Sequence, residues 1–428
     1  MELRDKGKLF IPKKQLSGWL VCLLVFLPFT FGTLHQLLAL PKFVYYSMDV
    51  VLVALVFIVI SKRRIFLDKK MTFLAVYVTF FILYTMITYI FNFQSIFYYL
   101  WGARNNFRYY VAFFAFAFIL TEDECEDYLK AFDMLFYINA IVTVFQFIVL
   151  GLKQDNLGGI FGTEKGCNAY SILFFCIIIT KSLIWCINHK ESVLLCVSKC
   201  IIALAVSVLA EMKVFFFLFV IISIVVMLVT SFSWRKLVLS VAGVVILVLA
   251  LILFSKLFPD WVGTFTVEAM YEIASSDSGY TSSGDLNRLN AIPRISTEIS
   301  DNPLERIFGY GLGNCETSAA TFLNTDFYKQ HSNLHYTWFH DAFLFLETGI
   351  IGVIFCMGFF VVTFVQSLLF KKHRESNIMF CQLAMVVSII AFFMVIYNSS
   401  LRSEAGYMVY FILALPLISR QKGRFINS

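Results

Sequence analysis

The chain of 428 residues is 60% hydrophobic, 18% aromatic and only 14% charged, a composition that excludes an ordinary soluble domain and fits a polytopic membrane protein. Its formal net charge of +6 does not point to nucleic acid, because the basic residues are spread among connections instead of sharing one face. The cysteines fall mostly inside apolar runs, Cys22, Cys176, Cys196, Cys200, Cys356 and Cys381 among them; without C-x-x-C spacing they read as small core residues.

A bilayer core about 30 Å thick takes roughly 20 apolar residues per helix. Apolar windows predict spans at residues 18–38, 43–61, 71–91, 96–120, 132–152, 169–186, 192–209, 214–232, 237–257, 344–370, 378–397 and 407–419. The first run lacks a small-residue cleavage site and is followed at once by another, so it reads as a transmembrane helix and not a cleaved signal. Basic residues gather at the N-terminus (Arg4, Lys6, Lys8, Lys13, Lys14), in "SKRRIFLDKK", "WRK" and "KKHR", and in the tail (Arg420, Lys422, Arg424). All lie on one side of the predicted plan, which the positive-inside rule makes cytoplasmic, with both termini inside. The expectation is an all-α, multi-pass plasma-membrane protein of about twelve spans. Its parts are membrane helices over 1–257, one large external loop over 258–339, and membrane helices over 340–428.

That loop is rich in Ser, Thr, Asn, Asp and Tyr and shows little periodicity before Leu286; loops of such length are usually functional or disordered. From Arg288 onward, "RLNAIPRISTEISDNPLERIFGYGLGN" predicts a partly helical, ordered stretch, with Pro293 as a kink and Asp301-Asn302-Pro303 as a stop. "GYGLG" has no preceding strand and no P-loop lysine, so it predicts a tight backbone turn and not a nucleotide site. The lack of any Asp-x-Asp pair counts against a metal-dependent sugar-nucleotide transferase.

An ionisable group at membrane depth costs about 2.5 to 3.5 kcal/mol on insertion scales, and such groups mark candidate sites. The apolar part of the fourth span, residues 107–120, is about 21 Å long at 1.5 Å per residue, too short to cross. Extending it back through "SIFYYLWGARNNFR" puts Arg104 and Arg108 one turn apart on one face. They are either an anion clamp in a water-filled cavity or snorkelling side chains among Trp101, Tyr109 and Tyr110. Glu211 and Lys213 share the short external turn "AEMK", as a water boundary or as part of a site. Arg402 and Glu404, in "NSSLRSEAG", read as loop residues, and Lys181 as snorkelling to the cytoplasm without a role.

The long loop adds Arg288, Arg294 and Arg306, and "HSNLHYTWFHD" adds His331, His335 and His340. A metal site built from these histidines with Asp341 lacks an H-E-x-x-H spacing. The favoured reading is a single catalytic His340 beside Asp341, since a neutral imidazole with an unperturbed pKa near 6.5 suits proton removal from a hydroxyl. Arginines suit a phosphate-linked donor, which their planar forks bind bidentately. Glu347 lies two turns past His340 on nearly the same face, placed to orient the catalytic groups or bind sugar. Gly349 and Gly352 are expected to allow close helix packing.

The order of "RLNAIPRI", "PLERIFGYGLGN" and His340-Asp341 followed by "LFLETGIIG" resembles the O-antigen polymerase and O-antigen ligase superfamily of bacterial surface polysaccharide assembly. "NLGGIFGTEKGCNAYS" is similar to the family's short loop entering the sixth helix, and "LAEMK" falls where members place a basic residue. The resemblance covers roughly residues 104–352. Asp341 stands where the ligase motif carries an amide or Ser, and the spacing to Gly349 and Gly352 is closer to polymerases.

The resemblance implies a GT-C-like fold and an external, metal-independent glycosyltransferase without a cofactor. Such an enzyme joins undecaprenyl-diphosphate-linked oligosaccharide units of O-antigen, capsule or another exopolysaccharide at the periplasmic face of the inner membrane. Arg288 would hold the diphosphate, helped by Arg294, Arg104, Arg108 and Lys213. His340 would activate the acceptor hydroxyl, with Asp341 and Glu347 at the substrate. The implied partners are the lipid-linked oligosaccharide, the bilayer, a chain-length regulator and a flippase. Two alternatives stand beside it: a ligase moving polymer to lipid A-core, and a lipid-linked oligosaccharide flippase. The crowding of charge on the external side and the one dominant loop count against the flippase.

Overall fold

The computed structural model describes residues 13–38, 40–61, 69–259, 279–280, 284–300, 302–318 and 323–425. Within them the chain is helical without a strand, its one extended pairing being a bridge between Tyr280 and Leu286. The helices are α1 (Lys13–Phe26), α2 (Pro28–Leu37), α3 (Ser47–Ser61), α4 (Lys69–Phe91), α5 (Ile96–Ile119), α6 (Glu122–Ile148), α7 (Asn168–Ile187) and α8 (Val193–Leu209). After them come α9 (Lys213–Val229), α10 (Trp234–Leu257), α11 (Ala291–Glu298), α12 (Pro303–Phe308), α13 (Asp326–His331), α14 (His340–His373), α15 (Ile378–Tyr397) and α16 (Gly406–Phe425).

Every predicted span corresponds to helix, but seven helices among the described residues are long and apolar enough to cross a membrane, or eight if one bent pair is a single span. That pair is α1 and α2, bent by 61°. Pro28 is the cause, because it supplies no N–H and its ring crowds the preceding turn. Helices α8, α9 and the apolar part of α16 are apolar but fall short of that length. Burial sorts centre from periphery: α7 is 89% buried over its most apolar window and α15 72%, against 17% for α10. The apolar side chains that α10 exposes, such as Val241, Val244 and Val248, then face outward, as a lipid-facing helix requires.

The basic connections gather at one end of the bundle. Lys70 and Arg420 both pair with Glu375 at 3.0 Å, and Arg235 donates to the Cys186 and Glu191 carbonyls at 3.1 Å. Arg4, Lys6, Lys8 and most of "SKRRIFLDKK" lie outside the described residues. Lys181 does not snorkel to water at this end. It is buried, paired with Asp133 and donating to the Leu129 carbonyl at 3.0 Å. Lys199, 1% exposed, joins the network through Asp133 at 2.9 Å and Glu191 at 3.1 Å.

The long loop lies at the opposite end. Helix α11 has Pro293 in its first turn, where a missing N–H leaves no bond unmade, so Pro293 helps start the helix and does not kink it. Helix α12 follows an Asn302–Glu305 capping box with Pro303 at its first position; Asp301 lies outside the described residues. Gly349 packs against the α12 backbone, where a Cβ would stand 2.2 Å from the Ile307 carbonyl oxygen, and a Cβ on Gly352 would meet Thr348; Gly349 also breaks α14, at φ 61 and ψ −170, and so frees carbonyls from the helical ladder. The "GYGLG" turn fills them: the Tyr310 N–H donates to the Leu346 carbonyl at 2.8 Å and the Gly311 N–H to the Glu347 carbonyl at 3.0 Å. The Tyr84 hydroxyl donates to the Thr348 carbonyl at 2.6 Å. Gly309, Gly311 and Gly313 all have positive φ, so this is the tight turn expected, wedged between α5 and α14.

Candidate functional site

A cavity of about 720 Å³ opens at the loop end. Much of its wall is the segment between α6 and α7, including Asp155, Phe161, Glu164 and Lys165. The Gln146 side chain fixes that segment by donating to the Gly159 carbonyl and accepting from the Gly159 N–H, both at 2.8 Å. The α8–α9 turn adds Glu211 and Lys213, the approach to α14 adds Trp338 and Phe339, and the end of α15 adds Tyr397.

Arg288 enters from the turn before α11. The buried Leu286 seats this segment, with its N–H donating to the Leu334 carbonyl at 3.4 Å, and the Asn287 N–H donates to the Gly279 carbonyl at 3.0 Å. The guanidinium lies 4.8 Å from the Tyr397 ring centre and 5.8 Å from that of Phe339. Among the described residues it pairs with no carboxylate, and its buried Nε has no hydrogen-bond partner. Ring faces thus hold the cation, and among the described residues no carboxylate claims its donors.

Lys213 is the first residue of α9 and lines the same cavity. Beside it Glu211 holds a left-handed backbone at φ 50, and Gln154, also lining the cavity, does so at φ 56. His335 does the same at φ 52 and stacks on Trp338 with ring centres 4.1 Å apart. Each such conformation costs of order 1–3 kcal/mol in a non-glycine residue and persists only where its surroundings impose it. Burial pushes the Glu211 carboxyl above its ordinary value, with Lys213 and a hydrogen bond to Gln154 pulling the other way.

His340 starts α14 but does not line this cavity. It borders a separate void of about 10 Å³ with Asn105, Asn106, Tyr109, Tyr110 and Arg402, room for about one water. Its Nδ1 is buried without a partner. The turn over residues 398–405 divides the two spaces: Ser399, Ser400, Ser403 and Glu404 face the cavity, Leu401 and Arg402 the void. Asp341 is buried, and its Oδ1 accepts from the Ala342 N–H at 2.8 Å. Glu347, fully buried, accepts the Gly313 N–H at 2.9 Å and thereby holds the glycine turn.

The other arginines are committed. Arg104 donates to Asp49 through Nε at 3.0 Å and Nη2 at 2.6 Å, and its guanidinium lies 5.0 Å from both the Tyr46 and Trp101 rings. The buried Arg108 approaches Glu404 at 3.4 Å and donates to the Arg402 carbonyl at 3.0 Å. Arg294 pairs with Glu298 at 2.9 Å on α11, and Arg306 donates to the Ser300 carbonyl at 3.3 Å. The structure therefore brings Arg288 and Lys213 to one cavity. Arg104, Arg108, Arg294, His340, Asp341 and Glu347 are not among its lining residues.

Of the histidines in the loop, His331 packs on Phe327 and His335 Nδ1 lies 2.5 Å from Asp285. Among the described residues no group of three or more His, Cys, Asp or Glu is placed to hold a metal. Residues read as plain loop prove structural: Arg402 pairs with Glu316 and lies 3.7 Å over the Phe343 ring, while Glu404 neutralises Arg108. Their signal was present in "NSSLRSEAG", opposite charges in a short connection between two apolar spans. No family model matches the chain, and no curated protein matches it.

Proposed function

We propose that the protein is a membrane-embedded, metal-independent glycosyltransferase that polymerises undecaprenyl-diphosphate-linked oligosaccharide units at the external face of the inner membrane. It is read as a GT-C-like bundle of about twelve helices, with both termini and the basic end in the cytoplasm and the loop end outside. The observation that carries the proposal is Arg288, a guanidinium held by the faces of Tyr397 and Phe339, with no carboxylate paired to it among the described residues, in a cavity of about 720 Å³ that Lys213 shares. Two cations lining one cavity suit an anionic ligand, and the fork of Arg288 suits a phosphate. The aromatic walls formed by Trp338, Phe339 and Tyr397 suit the apolar faces of sugar rings.

In this reaction the acceptor hydroxyl attacks the anomeric carbon of the donor, the bond from that carbon to the diphosphate oxygen breaks, and undecaprenyl diphosphate departs with the electron pair. Arg288 and Lys213 meet the charge that grows on the departing diphosphate. His340 takes part as proton acceptor only if the turn over residues 398–405 moves aside.

The test is a polysaccharide gel from cells carrying Arg288→Ala, with membrane levels of the variant measured alongside. The expected result is normal membrane incorporation with no chain extension; a normal ladder refutes the assignment. The same gel separates polymerase from ligase, because loss of a polymerase leaves single repeats on the lipid core whereas loss of a ligase leaves the core bare. Scrambling of lipid-linked oligosaccharide by reconstituted protein, without release of undecaprenyl diphosphate, would make it a transporter.

A further inference from the structure

A transfer of this kind needs a proton acceptor within reach of the acceptor hydroxyl, and among the described residues no histidine lines the cavity that Arg288 enters. Its acidic groups are Asp155, Glu164, Glu211 and Glu404, and three have other work. Asp155 accepts from the Asn168 side-chain amide at 3.1 Å. Glu404 is paired with Arg108. Glu164 lies 3.2 Å from His35 with half its side chain in solvent.

Glu211 differs in three independent ways. Its carboxyl is grouped with Gln154, Asp155 and Lys213, all of which also line the cavity, so it is placed at the wall that carries the second cation. Its backbone is held left-handed in a turn where the Met212 N–H donates to the Ser207 carbonyl at 2.9 Å and the Lys213 N–H donates back to Glu211 at 2.8 Å. Glycine would meet that φ without strain, yet the position carries a carboxylate. Finally, its half-burial raises its basicity above that of a solvated carboxylate.

We propose that Glu211 is the proton acceptor for the acceptor sugar hydroxyl in this cavity, an inference that rests on the lipid-diphosphate reading of the same site. As the hydroxyl oxygen bonds to the anomeric carbon, its proton passes to a Glu211 carboxylate oxygen. The anomeric carbon–oxygen bond to the diphosphate breaks, and the electron pair leaves with undecaprenyl diphosphate against Arg288. Lys213 beside Glu211 favours the ionised carboxylate before the acceptor arrives and shares the cavity with the departing charge. The neutral carboxyl then returns its proton to solvent through the mouth of the cavity. Glu211 is thus a catalytic residue, and the left-handed turn is what aims it.

The experiment uses full-length protein in proteoliposomes. Two probes are applied: undecaprenyl diphosphate for binding, and the lipid-linked oligosaccharide fraction extracted from the source bacterium's own membranes for chain extension. Glu211→Gln is expected to bind undecaprenyl diphosphate as the unaltered protein does while kcat falls by about 100-fold or more, the usual range for loss of a general base. Arg288→Ala is expected to lose the binding itself. Glu211→Gly removes the carboxylate and relieves the backbone, so it should be as inactive as Glu211→Gln yet unfold at an equal or higher temperature. A merely structural Glu211 would instead leave Glu211→Gly active or make it unstable. Glu211→Gln or Glu211→Gly extending chains within about threefold of the unaltered rate overturns the assignment and leaves the polymerase reading standing. Unaltered protein that binds undecaprenyl diphosphate but extends nothing overturns that reading and the role of Glu211 with it.

Discussion

Gly349→Ala tests how the loop is locked to the membrane helices. At φ 61 and ψ −170 the residue occupies a region essentially restricted to glycine, which costs an alanine of order 1–3 kcal/mol. The added Cβ would also stand 2.2 Å from the Ile307 carbonyl oxygen and 2.5 Å from the Phe308 nitrogen. Both are backbone atoms that no rotamer change can move, so α12 must back away. That retreat weakens the bonds from the Tyr310 and Gly311 N–H groups to the Leu346 and Glu347 carbonyls, each worth about 1 kcal/mol net and more if the carbonyl is left buried and unpaired. The total is about 3–6 kcal/mol on these principles. Gly151→Ala is the control, because Gly151 also has positive φ, at +64, but nothing lies within 4 Å of its built Cβ; its loss should be about 1 kcal/mol. Chemical and thermal unfolding in detergent, followed by tryptophan fluorescence, measures both. If Gly349→Ala is no more destabilised than Gly151→Ala, the glycine turn is not the wedge that holds the break in α14.

Two further outcomes follow from the same geometry. Arg108→Met, which leaves Glu404 unpaired beside a buried site, should destabilise by about 3–5 kcal/mol in the same unfolding assay, while Arg104→Met, at a pair with Asp49 whose side chains are 22% and 25% exposed, should lose less, about 1–2 kcal/mol; equal losses would refute the distinction. For pH, burial raises the Glu211 carboxyl while Lys213 and Lys153 lower it and Asp155 raises it, with a net upward direction. The active form is ionised, so chain extension should fall as pH drops through a value above 4.5, the ordinary one for the group; a rate that stays flat down to pH 4.5 would contradict a general base at this position.

Helix positions were legible in the sequence because a membrane span is written as an uninterrupted apolar run, and the windows over 96–120 and 378–397 agree with α5 and α15 to within a residue. The bend at Pro28 and the break at Gly349 were not. An apolar window averages over a single residue, and the consequence of Gly349 depends on a turn some 40 positions earlier, at residues 309–313, whose N–H groups replace the lost helical donors. "GYGLG" announced its turn through its glycines, but not the two carbonyls it serves. Lys181 was misplaced for a related reason: its partner Asp133 is shared with Lys199, which in turn pairs with Glu191, and only packing brings these segments together.

At the candidate site the sequence supplied the right residue types without their division of labour. Arg104, Arg108, Arg288 and Arg294 look alike in one dimension, each an arginine at or near the predicted membrane surface. What separates them is the partner. Asp49, Glu404 and Glu298 hold the first, second and fourth, and an arginine already satisfied by a carboxylate must break that pair before it can bind phosphate, a loss of several kcal/mol where the pair is buried. Arg288 is held by the rings of Tyr397 and Phe339, which orient a guanidinium by its face and leave the edge donors available. Binding an anion there requires no ion pair among the described residues to be broken. Glu211 stands out among the acids of the cavity on different grounds: Gln154 and Lys213 engage it, as Asn168, Arg108 and His35 engage the others, but of these acids it is the one held on a left-handed backbone. Arg288 is thus positioned by ring faces and not by a carboxylate among the described residues, whereas Glu211 is positioned by a backbone conformation that costs free energy to hold.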